Sequence, residues 1–275
     1  MSTAAAVTAP ALDDIRTTAP QVPTSLEQTG LTTDMVEQLL VKTLYGGELT
    51  GLMLAERLRL PFTIIEPILE RIRVERLIEV RGGTSTASYR YTLTDLGRER
   101  AQQYFAINQY TGAAPVPLAT YVAQMRALAA SRGYIDRERL RKGFAHLIVP
   151  ETVLDQLGPA ANANKAIFLY GPPGNGKTVL AEGLSRTLGG DMYMPYAIEI
   201  EGHIITMYDP ISHEALDADV PDATSIIASA PRDRRWVRIR RPVVIVGGEL
   251  TLDMLDLTFN PLAKFYDAPL QLKAN

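Results

Sequence analysis

The sequence contains no cysteine, which removes disulfides, thiolate metal sites and cysteine nucleophiles together. Histidine is nearly as scarce. His146, His203 and His213 are the three in 275 residues, and no pair stands at metal-ligand spacing. A zinc centre is therefore not expected, and each histidine is read as a structural or surface residue. No apolar run approaches the roughly 20 residues of a spanning helix, and no basic stretch leads into an apolar core at the start. The expectation is a cytoplasmic protein without membrane contact. Positive charge is not in excess either: 28 Lys+Arg stand against 31 Asp+Glu, a net of -3. No global basic field draws the molecule onto nucleic acid, which leaves only local patches to do so.

What is present is enough apolar material for real cores, 46% of residues, in a chain longer than one average domain. Residues 1–30 are rich in Ala, Thr and Pro without hydrophobic period and are expected to form a disordered tail. From residue 31 the pattern is helical. Met35, Val36, Leu39 and Leu40 recur at helix spacing, with Thr33 as cap and Gly46-Gly47 as stop. A second helix carries Leu52, Ala55 and Leu58, and Pro61 interrupts it. A third is expected from a capping box at Thr63–Glu66, with Ile65, Ile68, Leu69 and Ile72 as its buried stripe. Leu77–Val80 and Tyr89–Tyr91 flank a polar turn and predict a β-hairpin, after which Thr94-Asp95 opens another helix. Three helices followed by a two-stranded wing predict a winged-helix domain over 31–105. Its stretch "RLIEVRGG…YRYTLTDLGRERA" resembles the wing and following helix of winged-helix regulators. Residues 106–145 read as a helical connector, and 146–275 as an α/β domain of short apolar strands and helices.

The chemistry is concentrated in Gly171-Pro172-Pro173-Gly174-Asn175-Gly176-Lys177-Thr178, which matches G-x-x-x-x-G-K-[ST]. The apolar run Ala166–Tyr170 before it predicts a strand. Val179, Leu180, Leu184 and Leu188 after it predict a helix ended by Gly189-Gly190. Glycines there let successive backbone N–H groups converge on phosphates, and the helix start adds positive potential. Lys177 is the candidate catalytic residue, reaching the β- and γ-phosphates of ATP. The Thr178 hydroxyl is the candidate Mg²⁺ ligand, and Gly171 through Val179 form the nucleotide-binding set.

The form "GPPGNGKT" resembles the loop of AAA+ ATPases. The segments "LDQLGPAANANKAIFLYGPPGNGKT" and "RRPVVIVGGELTLDMLDLTFNPLAKFYDAPLQLKAN" are similar to bacterial AAA+ proteins with an N-terminal winged-helix-like region, across most of 31–275. The resemblance implies an α/β P-loop NTPase core, ATP hydrolysis with Mg²⁺, a protein client and a homo-oligomeric ring for the full protein. It also implies that the strand bearing the Mg²⁺-orienting acids follows the segment Leu270–Asn275. This chain is thus expected to be an N-terminal fragment lacking those acids, the sensor residues, the trans-acting arginine and the helical lid. Within the chain, Val243–Val246 is the strongest later apolar run, and it ends at Gly247-Gly248-Glu249. Glu249 is read either as a substitute acid or as a turn residue capping the helix from Leu250.

Two further features stay open at this level. Arg232, Arg234, Arg235, Arg238, Arg240 and Arg241 surround Trp236, with Arg238 and Arg240 at strand spacing. They fit a solvated strand face, a contact between ring subunits, or a surface for anions and bases, with Asp217, Asp219 and Asp222 near enough to neutralise some charge. The third helix of the winged region exposes Glu66, Glu70, Arg71, Arg73, Glu75 and Arg76. This mixed face suits a protein partner, with DNA as the alternative.

Overall fold

The computed structural model describes residues 19–131, 133–163, 165–216, 232–248 and 250–274. Its first unit grows from local signals. Helix α1 (Leu26–Thr29) is capped by Ser25, whose Oγ accepts from the Gln28 N–H. Helix α2 (Thr33–Tyr45) starts one residue earlier than the Thr33 cap would place it, because Thr32 is the N-cap and accepts from the Met35 N–H at 3.2 Å. Val36, Leu39, Leu40 and Leu44 line its buried side. Strand β1 (Leu49–Thr50) runs into α3 (Gly51–Leu58), capped by Thr50. Leu54, Ala55 and Leu58 face inward, whereas Leu52 is 58% exposed; the helical phase is set by the cap at Thr50 rather than by Leu52.

Helix α4 (Phe62–Val74) buries Ile65, Ile68, Leu69 and Ile72 as their spacing predicts. The capping box at Thr63–Glu66 does not form. The helix begins at Phe62 behind Pro61, without a side-chain cap, and Glu66 instead accepts from the Thr86 hydroxyl of the wing. Strands β2 (Ile78–Val80) and β3 (Arg90–Leu93) pair antiparallel, Ile78 opposite Leu93 and Val80 opposite Tyr91. Strand β1 adds to the far edge of β3 with Leu49 opposite Tyr91. This sheet, ordered β1-β3-β2 behind α2, α3 and α4, has the layout of a winged helix. Thr94 then caps α5 (Asp95–Ile107), accepting from the Gly97 N–H at 3.1 Å.

The winged helix shares its core with the rest of the chain. Leu58, Tyr110, Ala114, Ala197 and Ile204 belong to one buried cluster with it. The Ala114 N–H donates to Leu58 O, and the Gln109 N–H to Ala263 O. Residues 106–145, expected as a helical connector, hold β4 (Val116–Pro117), α6 (Leu118–Ser131) and α7 (Arg137–Gly143). Strand β4 lies parallel to β6 (Ala197–Ile200), which pairs antiparallel with β7 (His203–Thr206). Strand β7 then runs parallel to β10 (Phe265–Asp267), and β10 antiparallel to β9 (Thr258–Asn260). The resulting order is β4-β6-β7-β10-β9. A separate ribbon pairs β5 (Asp191–Pro195) with β8 (Trp236–Arg240). Helix α8 (Glu151–Asn162) and helix α9 (Lys177–Leu188) join α7 in a third core built on Leu140, Phe144, Leu154, Leu157 and Leu184. A short helix α10 (Leu270–Lys273) follows the last strand.

Three expectations change here. Ala166–Tyr170 and Val243–Val246 were expected as strands, yet neither joins a sheet among the described residues. A short apolar run encodes a tendency to be buried, but a ladder also needs a neighbour in register. The described sheets draw their neighbours from elsewhere. The tail differs in its last dozen residues. Pro20 O accepts from the Asp233 N–H at 2.9 Å, and Thr29 is fully buried. Order there comes from remote polar anchors that local composition does not register; residues 1–18 lie outside the described residues, as do Asp217, Asp219, Asp222, Glu249 and Asn275. No helix among the described residues is long and apolar enough to cross a membrane.

Candidate functional site

The glycine-rich loop follows segment 166–170, which has no regular secondary structure, and ends where α9 begins. Three of its glycines take backbone conformations that side chains resist: Gly171 at φ 144°, Gly174 at φ 84° and Gly176 at φ 71°. A Cβ at any of them would meet nothing within 4 Å, so these glycines answer to backbone curvature and not to crowding. Gly176 is the N-cap of α9 and offers no side chain, which leaves the first-turn N–H groups available to an external acceptor. Lys177, the first helical residue, turns its ammonium back over the loop. Its Nζ donates to Gly171 O at 2.9 Å and Pro172 O at 2.8 Å. Pro172, Pro173, Asn175 and Thr178 are exposed along the same arc, and Val179 is 39% exposed.

This arrangement suits an anion. It combines a curved run of backbone, a helix N-terminus of a twelve-residue helix and one cation held by neutral carbonyls, which an anionic ligand would outcompete. For Mg²⁺ the donor set is thin. The Thr178 hydroxyl is accessible, but no cluster of three His, Asp or Glu side chains suited to a metal occurs among the described residues. An ion here would rest mainly on ligand oxygens. Just before the loop, Phe168 and Tyr170 are 85% and 84% exposed, their rings stacked at 6.1 Å.

The arginines around Trp236 do not form an open basic face. Arg235 is buried and grips Asp233 through Nε and Nη2, while its Nη1 donates to Thr29 O and Pro115 O. Arg238 pairs with Asp191 at 2.7 Å, Arg240 with Glu214 at 3.2 Å and Arg234 with Glu56 at 3.4 Å. The Arg232 guanidinium lies over the Tyr193 ring. At Arg234, Arg235, Arg238 and Arg240 the positive charge is met by a carboxylate of the chain itself. The winged helix behaves alike. Arg71 engages Glu37, Asp34 and Glu75, Arg73 engages Glu70, Arg81 engages Glu79, and Arg90 reaches Glu48. A phosphate backbone would have to displace a carboxylate at each of these positions.

The histidines have local partners. His213 Nδ1 accepts from the Asp209 N–H, and its Nε2 donates to Lys273 O; burial lowers its pKa below the usual imidazole value. Asp209 pairs with Lys273 at 2.8 Å beside a cleft of about 310 Å³, and that cation depresses its carboxyl pKa. His146 contacts Arg186, and His203 stacks edge-on against Tyr266. Sequence reasoning missed Lys42. It is 2% exposed, its Nζ lies 2.7 Å from Asn108 Oδ1, and burial lowers its pKa to about 8. A lysine inside an amphipathic helix carries no sequence signal of burial.

No protein-family model matches the chain. A stretch of 54 residues, 20% of this chain, is 39% identical to the vesicle-fusing ATPase of Dictyostelium discoideum and spans 7% of that protein. Among solved structures, Bacillus subtilis PadR in complex with operator DNA aligns over 55% of this chain and 91% of that one, at 20% identity and a TM-score of 0.25. A score of that size describes local likeness only, and nothing about this chain's partners follows from it. The partial similarity to an ATPase is distant and short.

Proposed function

We propose that the chain binds ATP with Mg²⁺ through residues 171–179 and belongs to an ATPase of AAA+ type that acts on a protein client. The observation that supports this most is the placement of Lys177, folded over a loop of positive-φ glycines at a helix start. On this reading the loop N–H groups and the α9 terminus hold the β-phosphate oxygens, and Lys177 leaves its two carbonyls to bridge the β- and γ-phosphates. The Thr178 hydroxyl holds the metal, which shields the phosphate charge when bound. Similarity to an ATPase over 54 residues is consistent with this use. The winged helix, with Arg71, Arg73 and Arg90 already matched to carboxylates, then serves as a docking module for the protein client, and a ring of such subunits is the assembly in which it would work.

Mg·ATP affinity of the protein and of Lys177→Ala, measured by calorimetry, tests the proposal. Charged contacts contribute about 1.5–3 kcal/mol each, so the variant should bind at least about tenfold more weakly. Equal affinities would overturn the reading. Phosphate release in the same samples separates a hydrolysing protein from one that only holds the nucleotide.

A further inference from the structure

Helix α9 carries the loop, and a Cβ on Gly171, Gly174 or Gly176 would touch nothing. Leu169 ties the segment before the loop to the core of α7, α8 and α9, and the set of α9 in that core aims the loop from its other end. Two glycines stand where α7 meets α9, and neither takes a positive φ. A helical glycine costs about 1 kcal/mol against alanine, so their presence calls for a reason of space. A Cβ on Gly183 would lie 2.2 Å from the Phe144 ring, and one on Gly143 would lie 1.9 Å from Thr187 Oγ1. Phe144 is 2% exposed and Thr187 3%. The Thr187 hydroxyl donates to Gly183 O at 3.0 Å, which fixes it on the α9 side of the contact. Phe144 thus seats in the notch left by Gly183, and α9 in turn presses Thr187 into the notch left by Gly143.

We propose that this reciprocal glycine seat is the positioning device of the phosphate loop, with Gly143, Phe144, Gly183 and Thr187 as positioning residues; the proposal rests on the nucleotide-binding reading above. Gly183 lies mid-helix, six residues from Lys177, or about 9 Å along the axis at 1.5 Å per residue. A tilt of about 10° at this pivot swings the loop by about 1.6 Å. Displacements near 1 Å cost up to about a hundredfold in well-oriented sites. Leu184, beside the pivot, packs into the same core as Leu157 of α8, which backs the seat.

The test is Mg·ATP affinity for the full chain, Lys177→Ala, Gly183→Ala, Phe144→Leu and the double variant Phe144→Leu/Gly183→Ala, each with its helix content by circular dichroism. Gly183→Ala should lose about tenfold or more in affinity at unchanged helix content, and the double variant should recover to within about threefold. Affinity lost at unchanged helix content is the result that a role in stability alone would not give, and recovery on shrinking the ring assigns the loss to this contact. Should Gly183→Ala not fold, Phe144→Leu decides: a loosened seat weakens binding several-fold, and unchanged affinity overturns the proposal. Gly183→Ala folded and binding like the parent overturns it as well. Loss of any difference between the parent and Lys177→Ala would instead remove the nucleotide reading beneath it.

Discussion

Replacing Lys42 with methionine should stabilise the protein at neutral pH, by an amount that shrinks as pH rises. The ammonium is buried at 2% exposure, with no carboxylate among the described residues beside it. Its neutral partner is Asn108, through Oδ1 at 2.7 Å and the backbone O at 3.4 Å. Burial lowers its pKa from 10.5 to about 8, equivalent to about 3 kcal/mol held against the folded state when the group is charged in both states. Below pH 8 the whole penalty applies. Between pH 8 and 10.5 the folded chain releases its proton before the unfolded one, so stability rises through that window and the penalty is gone above it. Methionine matches the stem in shape and forfeits the contact to Asn108, a loss of about 1 kcal/mol, because Asn108 Oδ1 keeps the Tyr110 N–H. The net gain at pH 7 should be about 2 kcal/mol, fading toward pH 10. Urea unfolding of both proteins at pH 7, 8.5 and 9.5 measures it. Comparing the two cancels the opposing trend of Tyr91 and Tyr104, whose pKa values are pushed up to about 12 by burial and whose stabilisation is lost as pH climbs from 10 toward 12. A variant less stable than the parent at pH 7, or a difference that does not vary with pH, would refute the reasoning.

Arg235→Ala should cost about 3–5 kcal/mol, because Asp233, 3% exposed, would keep a buried charge without its partner; urea midpoints of this variant and of Asp233→Leu/Arg235→Met check it, the pair recovering most of the loss. Thr94→Ala removes both the cap of α5 and the bond to Arg76 O at 2.7 Å, and should lower stability by about 1 kcal/mol in the same assay.

Much of the winged helix was legible because its signals are local. The buried stripe Ile65, Ile68, Leu69 and Ile72 follows from spacing alone, and the wing from two short strands around Gly82-Gly83. Caps were legible to within a residue, since Thr32 and Thr33 are equally good acceptors and only the chain path chooses between them. At Thr63–Glu66 the spacing misled, because Glu66 found a partner in the wing, twenty residues away. The glycine-rich loop was legible as a turn since its glycines are demanded by backbone conformation. Its setting was not. Val116 pairs with Ile198, and Tyr266 with Ile205; such register is decided by residues far apart in the chain, while Ala166–Tyr170, apolar enough for a strand, has no ladder among the described residues. The use of the arginine stretch stayed open in the sequence because its counter-charges, Glu56, Asp191 and Glu214, are scattered along the chain.

The Arg235 clasp also sets an order of events for a newborn chain. Its guanidinium reaches Thr29 O across 206 residues and Pro115 O across 120. At about 5–20 residues per second, the segment bearing Thr29 waits on the order of 10–40 s after its own synthesis for the residue that fastens it. Helices α2 to α5 are made long before then, so the clasp closes onto pieces already present, and β10 adds to β7 only after it.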